Sequence, residues 1–359
     1  MTRIAVGTDQ LDVAVEVDAG LESFFAERIQ LAARYGSEYQ HLWERARVAS
    51  AGGKRIRPRF VMDAFWALGG DPVRGFRGAL DVAVAFELLH TAFLLHDDVI
   101  DGDTVRRGIP NLVGEFEAEA RAQGISPARA TLWGETAAIL AGDLLIQASQ
   151  SLVARIEAPP ERRAALLDVF DHSVFVTAAG EFADVSFSVG IGDARLPDVL
   201  AMTERKTAAY SFAGPLTAGA VLTGADGDAL EALGEYGRLL GIAFQLGDDL
   251  LGVFGAPELT GKSRLSDLRE GKETSVIAYA RATPSWSGIE PLFGRADLSE
   301  DDGRAIARAL VECGARAFVE GLVDEHASRA AAVLHASALP LGLVRELGSV
   351  AASCVGRIA

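Results

Sequence analysis

Helical periodicity is the feature that most constrains the fold of this chain. From Leu21 onward, apolar residues recur at spacings of three and four positions, and no stretch alternates convincingly with a period of two. Alanine, leucine and glutamate dominate and β-branched runs are short, which favours helices over strands. The spacing predicts helices over residues 21–49, 60–68, 79–101, 134–156, 163–189, 198–222, 228–254, 299–335 and 340–356. The sequence therefore predicts an all-α protein.

The breaks between these helices predict one continuous domain. They are rich in glycine, proline or charge, and none is long enough to serve as a domain linker. We therefore expect a single domain over residues 21–359, preceded by a loosely ordered arm over residues 1–20. Ser299, with Asp302 three residues later, predicts a helix N-cap. The helix over residues 81–101 is apolar on nearly every side, which predicts a position in the middle of the bundle.

The charge balance argues against several classes of partner. The 359 residues include 34 basic and 50 acidic side chains, a formal net charge of −16. This balance disfavours nucleic acid or an anionic membrane as the main partner.

Two cysteines, Cys313 and Cys354, predict neither a disulfide framework nor a thiolate zinc site. Residues 1–20 lack a signal pattern and the most apolar run, 82–95, is too short to span a bilayer, so we expect a soluble cytoplasmic protein.

The stretch "LLHDDVIDGDTVRRG" is the first indication of function. It places Asp97, Asp98 and Asp101 in one sector of a helix, where like charges repel one another. An isolated acidic pair is most often a solvated turn. Three carboxylates on one side of a helix can instead grip metal ions, and Arg106 and Arg107 follow with guanidinium groups suited to clamping phosphate oxygens. The pattern favours a cation site for a phosphorylated ligand over the solvated turn.

A second acidic cluster repeats the first later in the chain. "FQLGDDLLGV" supplies Asp248 and Asp249 after an apolar approach, and Gly252 stands at the third acidic position. Two such clusters could face each other across a cavity, and like charges in a partly buried space need cations between them. Oxygen ligands of this kind suit magnesium, which is commonly shared with substrate phosphates. The two clusters together predict a metal–diphosphate site.

Basic residues stand beside both clusters, which is informative in so acidic a chain. "GGKRIRP" at 52–58 places basic side chains behind two glycines and before a proline suited to a first helical turn, which is a ready anion site. A surface loop is the alternative for this stretch. Further basic or hydroxyl side chains stand near the second cluster, and each alone is most often surface decoration: Lys206, Thr207, Lys262 and Lys272.

One histidine has two open interpretations. Glu87 and His90 form the Glu-x-x-His spacing of di-iron helical bundles, but that site needs a second copy and the sequence contains none. His90 lies on the same side of the helix as Asp97, two turns earlier. A polar contact to the ligand and a satisfied core histidine are equally compatible with this position.

These motifs resemble the trans-isoprenyl diphosphate synthases, the polyprenyl synthetase family. "GGKRIRP", "DDVID", "RRG", "KT", "FQLGDD" and "GK…DLREGK" occur in the family's order over about residues 45–280. The resemblance implies a large orthogonal helical bundle around a central apolar cavity, a homodimer, and three magnesium ions per active site. It implies a prenyltransferase that condenses isopentenyl diphosphate with allylic diphosphates. A terpene cyclase and a silent regulatory subunit of a hetero-oligomeric synthase are less favoured, because nearly all aspartates and basic ligands of a synthase are present.

The resemblance also implies a role for individual residues. Magnesium would be bound by Asp97, Asp98, Asp101, Asp248 and Asp249, and the catalytic set would be the first four of these with Lys206. Isopentenyl diphosphate would be bound by Lys54, Arg57, His90 and Arg107, and the allylic diphosphate by Arg106, Lys206, Thr207, Gln245, Lys262 and Lys272. Gly252 departs from the aspartate often found in the family, which weakens the expected third metal site.

Product length is expected to depend on the helix before Asp97. Each turn back along it is about 5.4 Å, close to one isoprene unit. Phe93 lies one turn before Asp97, Ala92 beside it leaves room, and Phe86 is a deeper possible floor. Long-chain members of the family usually carry a smaller residue at the Phe93 position. One bulky ring with a small neighbour therefore suggests a short product, and geranylgeranyl diphosphate is favoured over farnesyl diphosphate. The alternative for Phe93 is an ordinary core position.

Overall fold

The computed structural model describes residues 12–106, 108–255 and 266–356. The described elements of the first half are α1 (Val13–Ala32), a 3-10 turn (Ala33–Tyr35), α2 (Ser37–Ala49), α3 (Ile56–Ala67), α4 (Phe76–Ile100), β1 (Val105–Arg106), β2 (Ile109–Pro110), α5 (Leu112–Ala122), α6 (Pro127–Ala154) and α7 (Pro160–Ser188). Those of the second half are α8 (Leu196–Thr203), a π-helical segment (Glu204–Ala213), α9 (Gly214–Thr223), α10 (Gly227–Phe254), α11 (Ser266–Glu270), α12 (Ser275–Arg281), α13 (Trp286–Ile289), α14 (Glu300–Glu312), α15 (Ala315–Ala336) and α16 (Leu341–Gly356).

The prediction of an all-α protein is confirmed. Apart from the two strands of two residues each, the regular structure of the described residues is helical. The predicted N-cap is also present, because Ser299 and Asp302 form a reciprocal capping box at the start of α14. Pro58 lies in the first turn of α3, where its missing N–H leaves no helical bond unmade.

The N-terminal segment departs from the sequence-based expectation. Residues 1–20 are predicted to form a loose arm, yet α1 already begins at Val13, and Asp12 caps it by accepting a hydrogen bond from the backbone N–H of Ala14. Val17 is fully buried. The apolar spacing that starts clearly at Leu21 is obscured before it by alternating acidic residues, although only one side of this helix needs to be apolar.

The described residues form two compact units. The first is built from residues within Met1–Arg106 and Pro110–Leu167, the second from residues within Arg107–Ile109 and Asp168–Ala359. In the first unit, α4 packs against α6 and α3. In the second, α10 packs against α15 and the π-helical segment. The expectation of one domain over residues 21–359 stays a prediction.

The central helix of the first unit is α4, as its apolar sequence predicts. Most of its side chains are buried, including Ala92 and Phe86. By length and composition, both α4 and α6 are capable of crossing a membrane, a weak criterion that core helices also satisfy. The observed α4 is thus longer than the apolar run 82–95 considered in the sequence.

The end of α4 is fixed by the Asp-Gly pair that follows its last turn. Asp101 is the C-cap, and Gly102 takes a left-handed conformation with φ of 70°. The N–H of Asp103 donates to the carbonyl of Asp98 at 2.8 Å, and the N–H of Gly102 donates to that of Val99 at 3.3 Å. This is a Schellman ending, which requires a residue that tolerates positive φ. Asp97 and Asp98 therefore lie in the final turn of α4, and Asp101 is its C-cap.

Candidate active site

The first acidic cluster is held by an arginine of the following segment. The Nε of Arg106 donates to Oδ1 of Asp98 at 2.8 Å, and its Nη2 donates to Oδ2 of Asp97 at 3.1 Å. A single guanidinium thus bridges the two adjacent carboxylates. Arg106 is predicted from the sequence to bind an allylic diphosphate; that role stays a prediction, and in this structure its charge stabilises the aspartates.

Burial and position both work against negative charge at this site. Asp98 is only 2% exposed, and burial raises the pKa of its carboxyl above the usual value although Arg106 counteracts the shift. The last turn of a helix also carries the negative end of the helix dipole, which disfavours further anions. Asp97 and Asp101 are half-buried. The end of α4 therefore favours the close approach of a cation.

The basic residues of the loop before α3 differ in role: Arg55 is structural, whereas Lys54 and Arg57 are accessible. Arg55 is 6% exposed and adopts a left-handed backbone conformation with φ of 47°. Its guanidinium contacts Asp18, Glu87 and the carbonyl of Ser50, with the Glu87 contact at 2.7 Å. Arg55 thus secures the loop rather than presenting a free cation.

The remaining predicted ligands of this loop stay accessible. Lys54 is exposed and Arg57 is half-buried in the first turn of α3. Glu87, considered in the sequence as half of a di-iron spacing, is instead the buried partner of Arg55. His90 is half-buried on α4. The loop therefore offers Lys54 and Arg57, but not Arg55, to an anion.

Phe93 is half-buried on α4, which distinguishes it from the fully buried Phe86 and Ala92. A side chain that is partly accessible one turn before Asp97 is available to contact a ligand at the end of α4. Ala92 adds no bulk beside it. These positions are compatible with the predicted floor of a product channel, although the role of Phe93 stays a prediction.

The second acidic cluster belongs to a chain of side-chain hydrogen bonds. Thr207 Oγ1 donates to Gln245 Oε1 at 2.8 Å, and Gln245 Nε2 donates to Asp249 Oδ1 at 3.0 Å. Ser275 Oγ donates to the other oxygen of Asp249 at 3.3 Å. The structure thus brings together Thr207, Gln245 and Asp249, three residues that the sequence names separately. Asp248 is half-buried beside them on α10.

The electrostatics of this cluster resemble those of the first. Burial raises the pKa of Asp249 to about 7, with further repulsion from Asp267 and Asp248, while the bond from Gln245 opposes the shift. Asp267, in α11, has no role in the sequence-based prediction, although it lies within the "DLREGK" motif. Its closeness to Asp249 is a tertiary feature that spacing along the sequence does not reveal.

Lys206 is held by two acids that the sequence analysis missed. Its Nζ contacts Asp184 Oδ2 at 2.7 Å and Glu181 Oε2 at 2.9 Å, both from α7. These acids are three residues apart and therefore share one side of the helix, a signal available in the sequence. Gly180 lets the two helices approach, since a Cβ there would lie 2.3 Å from the backbone nitrogen of Lys206. Lys206 itself stands in the π-helical segment, a rare geometry frequent at functional sites.

Three other residues are predicted from the sequence to bind the substrate diphosphates, and the structure says little about their roles. Lys272 lies after α11, with its ammonium 3.2 Å from Glu270. Arg107 and Lys262 lie outside the described residues. In each unit, a predicted phosphate ligand is therefore paired with carboxylates, Arg106 in the first and Lys206 in the second.

The donor chemistry of both clusters fits magnesium. Both clusters offer carboxylate and other oxygen atoms, which are the ligands that magnesium prefers. Asp98 and Asp249 are buried, and burial disfavours the charged form of each carboxyl. Across the described residues, no three His, Cys, Asp or Glu side chains form a ready-made metal cage.

Comparison with known proteins gives one consistent result. Residues 42–310 match the family described as polyprenyl synthetase. The geranylgeranyl diphosphate synthase of Methanosarcina mazei is 35% identical over 276 residues, covering 77% of each chain. The (2E,6E)-farnesyl diphosphate synthase of Mycobacterium bovis is 35% identical over 268 residues, covering 73% of this chain and 67% of the relative.

A solved structure shares the whole fold. Geranylgeranyl pyrophosphate synthase from Corynebacterium glutamicum, complexed with isoprenyl diphosphate and magnesium, superposes with a TM-score of 0.89 at 28% identity. The match covers 98% of this chain and 100% of that one. The all-α fold of this chain is therefore one already seen in a solved structure.

Proposed function

Because the chain belongs to the polyprenyl synthetase family, we propose that this prenyltransferase condenses isopentenyl diphosphate with allylic diphosphates and releases mainly geranylgeranyl diphosphate. The observation that carries the proposal is the family match over residues 42–310, which includes the basic loop and both acidic clusters. Farnesyl diphosphate synthase is the second candidate, since relatives of equal identity carry both names.

We propose that both acidic clusters bind magnesium, with three ions per active site. The ligands are Asp97, Asp98 and Asp101 in the first unit and Asp248 and Asp249 in the second. The presence of magnesium in the Corynebacterium glutamicum synthase supports this assignment. When bound, magnesium stabilises negative charge on the departing diphosphate.

The cationic side chains then divide between the two substrates. Lys54, Arg57, His90 and Arg107 bind isopentenyl diphosphate, while Arg106, Lys206, Thr207, Gln245, Lys262 and Lys272 bind the allylic diphosphate. The hydrogen bond between Thr207 and Gln245 supports their shared role, because it orients both side chains toward Asp249. Arg106 and Lys206 are already positioned among carboxylates, so each can exchange a protein oxygen for a phosphate oxygen without a large movement.

The reaction needs no histidine base. The carbon–oxygen bond of the allylic diphosphate breaks, its electron pair leaves with the diphosphate, and an allylic carbocation remains. The double bond of isopentenyl diphosphate attacks this cation, and a proton then passes to the released diphosphate. Preorganised positive charge at the leaving group supplies most of the stabilisation, and apolar surroundings keep water from the cation.

Product length is proposed to be set by Phe93. A growing chain held at Asp97 extends along α4 by about 5.4 Å per helical turn, so a ring at Phe93 limits the number of units added. Its half-buried side chain supports this position, and the buried Ala92 beside it leaves space for a chain of intermediate length.

The test is to incubate the purified protein with labelled isopentenyl diphosphate and each of three primers: dimethylallyl, geranyl and farnesyl diphosphate. Products are dephosphorylated and sized by chromatography. Geranylgeranyl product from all three primers is expected. A farnesyl end product supports the second candidate, and the absence of any condensation product contradicts the proposal.

Phe93→Ala should lengthen the products without abolishing turnover. Phe76→Ala is the matched control, because Phe76 lies at the far end of the same helix and stacks on Trp66 with ring centroids 5.8 Å apart. An unchanged product profile in a well-folded Phe93→Ala enzyme would place the floor elsewhere.

We further propose a cytoplasmic homodimer. One side of α6 exposes a row of large apolar residues, Leu132, Trp133, Ile139 and Leu140, each more than 40% accessible. An exposed apolar row of this kind on an otherwise acidic protein is typical of an interface. Light scattering of the purified chain at several concentrations tests the dimer, and a monomer throughout would contradict it.

A further inference from the structure

Arg55 combines burial with a backbone conformation that arginine rarely adopts. Among the described residues it is the only one other than glycine with a positive φ, at 47° with a ψ of 41°. A left-handed backbone is unfavourable for a residue with a Cβ, so it persists only where the surrounding structure holds it. Arg55 also stands between Lys54 and Arg57 in the basic loop. Its conformation therefore affects where these two cations lie.

Three helices supply the contacts that hold the Arg55 guanidinium. Nε donates to Asp18 of α1 at 2.9 Å, and Nη2 donates to the carbonyl of Ser50, the C-cap of α2, at 3.0 Å. Nη1 donates to Glu87 of α4 at 2.7 Å. A planar guanidinium that donates in three directions has little freedom to turn. The loop is therefore fixed relative to α1, α2 and α4 at once.

The backbone of Arg55 carries this fixed position into α3. Arg55 is the N-cap of α3, and its carbonyl accepts the first helical hydrogen bond, from the N–H of Arg59 at 3.1 Å. Arg57 lies in the turn that this bond closes, and Lys54 directly precedes Arg55. A change in the Arg55 dihedral angles would therefore move both cations.

We propose that Arg55 and Glu87 are positioning residues for isopentenyl diphosphate, because together they fix the left-handed turn that places Lys54 and Arg57 around its diphosphate. This inference rests on the proposed function, since it needs the substrate that these two cations bind. Neither Arg55 nor Glu87 contacts the substrate. Asp18 brings the N-terminal helix α1 into the same support.

The charge balance favours support of the loop over direct binding. The Arg55 guanidinium lies 2.7 Å from both Asp18 and Glu87, so two carboxylates already balance its charge. Oε2 of Glu87 is buried and accepts no hydrogen bond from the described residues, which leaves Arg55 to balance this carboxylate. Removing either partner alone leaves a buried charge uncompensated, whereas replacing both with apolar residues does not.

The experiment separates positioning from stability by removing the buried pair as a whole. Arg55→Met with Glu87→Leu is the double variant, and Arg55→Lys keeps the charge but cannot donate in three directions. Arg47→Met is the matched control, because Arg47 joins α2 to Glu22 of α1 at 2.7 Å through an exposed ion pair. The KM of each substrate is measured with the other saturating, and thermal unfolding is recorded for every protein.

The double variant should raise the KM for isopentenyl diphosphate by about tenfold or more, since small misplacements of binding groups are costly. Arg55→Lys should raise the same KM by less. The KM for geranyl diphosphate should stay unchanged in both, and Arg47→Met should change neither constant. A purely structural role predicts instead that a double variant with an unchanged thermal midpoint has normal constants for both substrates.

Failure of this inference is distinguishable from failure of the proposed function. If the natural chain condenses the two substrates and a folded double variant keeps its KM for isopentenyl diphosphate, Arg55 and Glu87 do not position the loop. If the double variant does not fold, an unchanged KM in Arg55→Lys overturns the inference in the same way. If the natural chain forms no condensation product, the proposed function is wrong and the inference falls with it.

Discussion

Replacing Asp249 with asparagine is expected to stabilise the metal-free protein at neutral and alkaline pH. The carboxyl is 8% exposed and its pKa is raised from 3.8 to about 7, chiefly by burial. Asparagine removes the charge and can keep the bond from Gln245, since its side-chain oxygen still accepts. The substitution therefore removes a cost of ionisation while it leaves the packing nearly unchanged.

The sign and size follow from proton linkage. Above pH 3.8 the unfolded chain gives up the proton of Asp249 while the folded chain retains it, so the free energy of unfolding falls as pH rises toward 7. A pKa raised from 3.8 to about 7 corresponds to about 4 kcal/mol, since each pKa unit is worth about 1.36 kcal/mol. The cost is absent below the unfolded pKa and fully present above the folded one.

The assay is urea unfolding of the natural chain and Asp249→Asn at a series of pH values between 4 and 8, without divalent cations. The difference in unfolding free energy should be near zero at the acid end and should grow in favour of asparagine with rising pH. Magnesium with inorganic diphosphate should reduce it. A difference that is independent of pH, or an asparagine variant that is less stable at pH 8, would refute the reasoning.

Three further outcomes are expected. Asp97→Ala should lower turnover by orders of magnitude with an unchanged helical circular dichroism spectrum; near-normal turnover would remove Asp97 from the metal site. Arg57→Ala should raise the KM for isopentenyl diphosphate far more than that for the allylic primer, and equal effects would return the loop to a structural role. Glu87→Leu should lower the free energy of unfolding by about 3 kcal/mol, because it removes the buried carboxylate 2.7 Å from Arg55 and leaves the half-exposed Asp18 as the remaining carboxylate partner; an unchanged urea midpoint would contradict this.

Many helix positions follow from local spacing, although the predicted helices 21–49 and 299–335 are each divided in two and α5 and α12 were not predicted. The apolar run predicts α4, and the Asp-Gly pair that follows supplies the left-handed residue that ends it. The capping box of Ser299 is equally local. Such features depend on residues a few positions apart, whose relation is fixed once a helix forms.

Partners of charged side chains are harder to predict. In the sequence, Arg55 is indistinguishable from Lys54 and Arg57, the other basic residues of the GGKRIRP motif. In the structure, its left-handed backbone directs the guanidinium toward Glu87, 32 residues away. Lys206 and Asp267 likewise acquire their carboxylate neighbours from other helices. The sequence gives the chemical type of each side chain, whereas packing decides which charges meet. Which charged side chains pair with one another therefore cannot be predicted from spacing along the sequence.

The close approach at Gly180 restricts how this protein can change. Any side chain there would meet the backbone of Lys206 at 2.3 Å, and backbone cannot rotate aside as a side chain can. A substitution would push α7 away from the π-helical segment and separate Glu181 from the ammonium it contacts at 2.9 Å. In a library of random variants, position 180 should thus accept almost no replacement, even alanine, while the exposed Phe182 two residues later tolerates many.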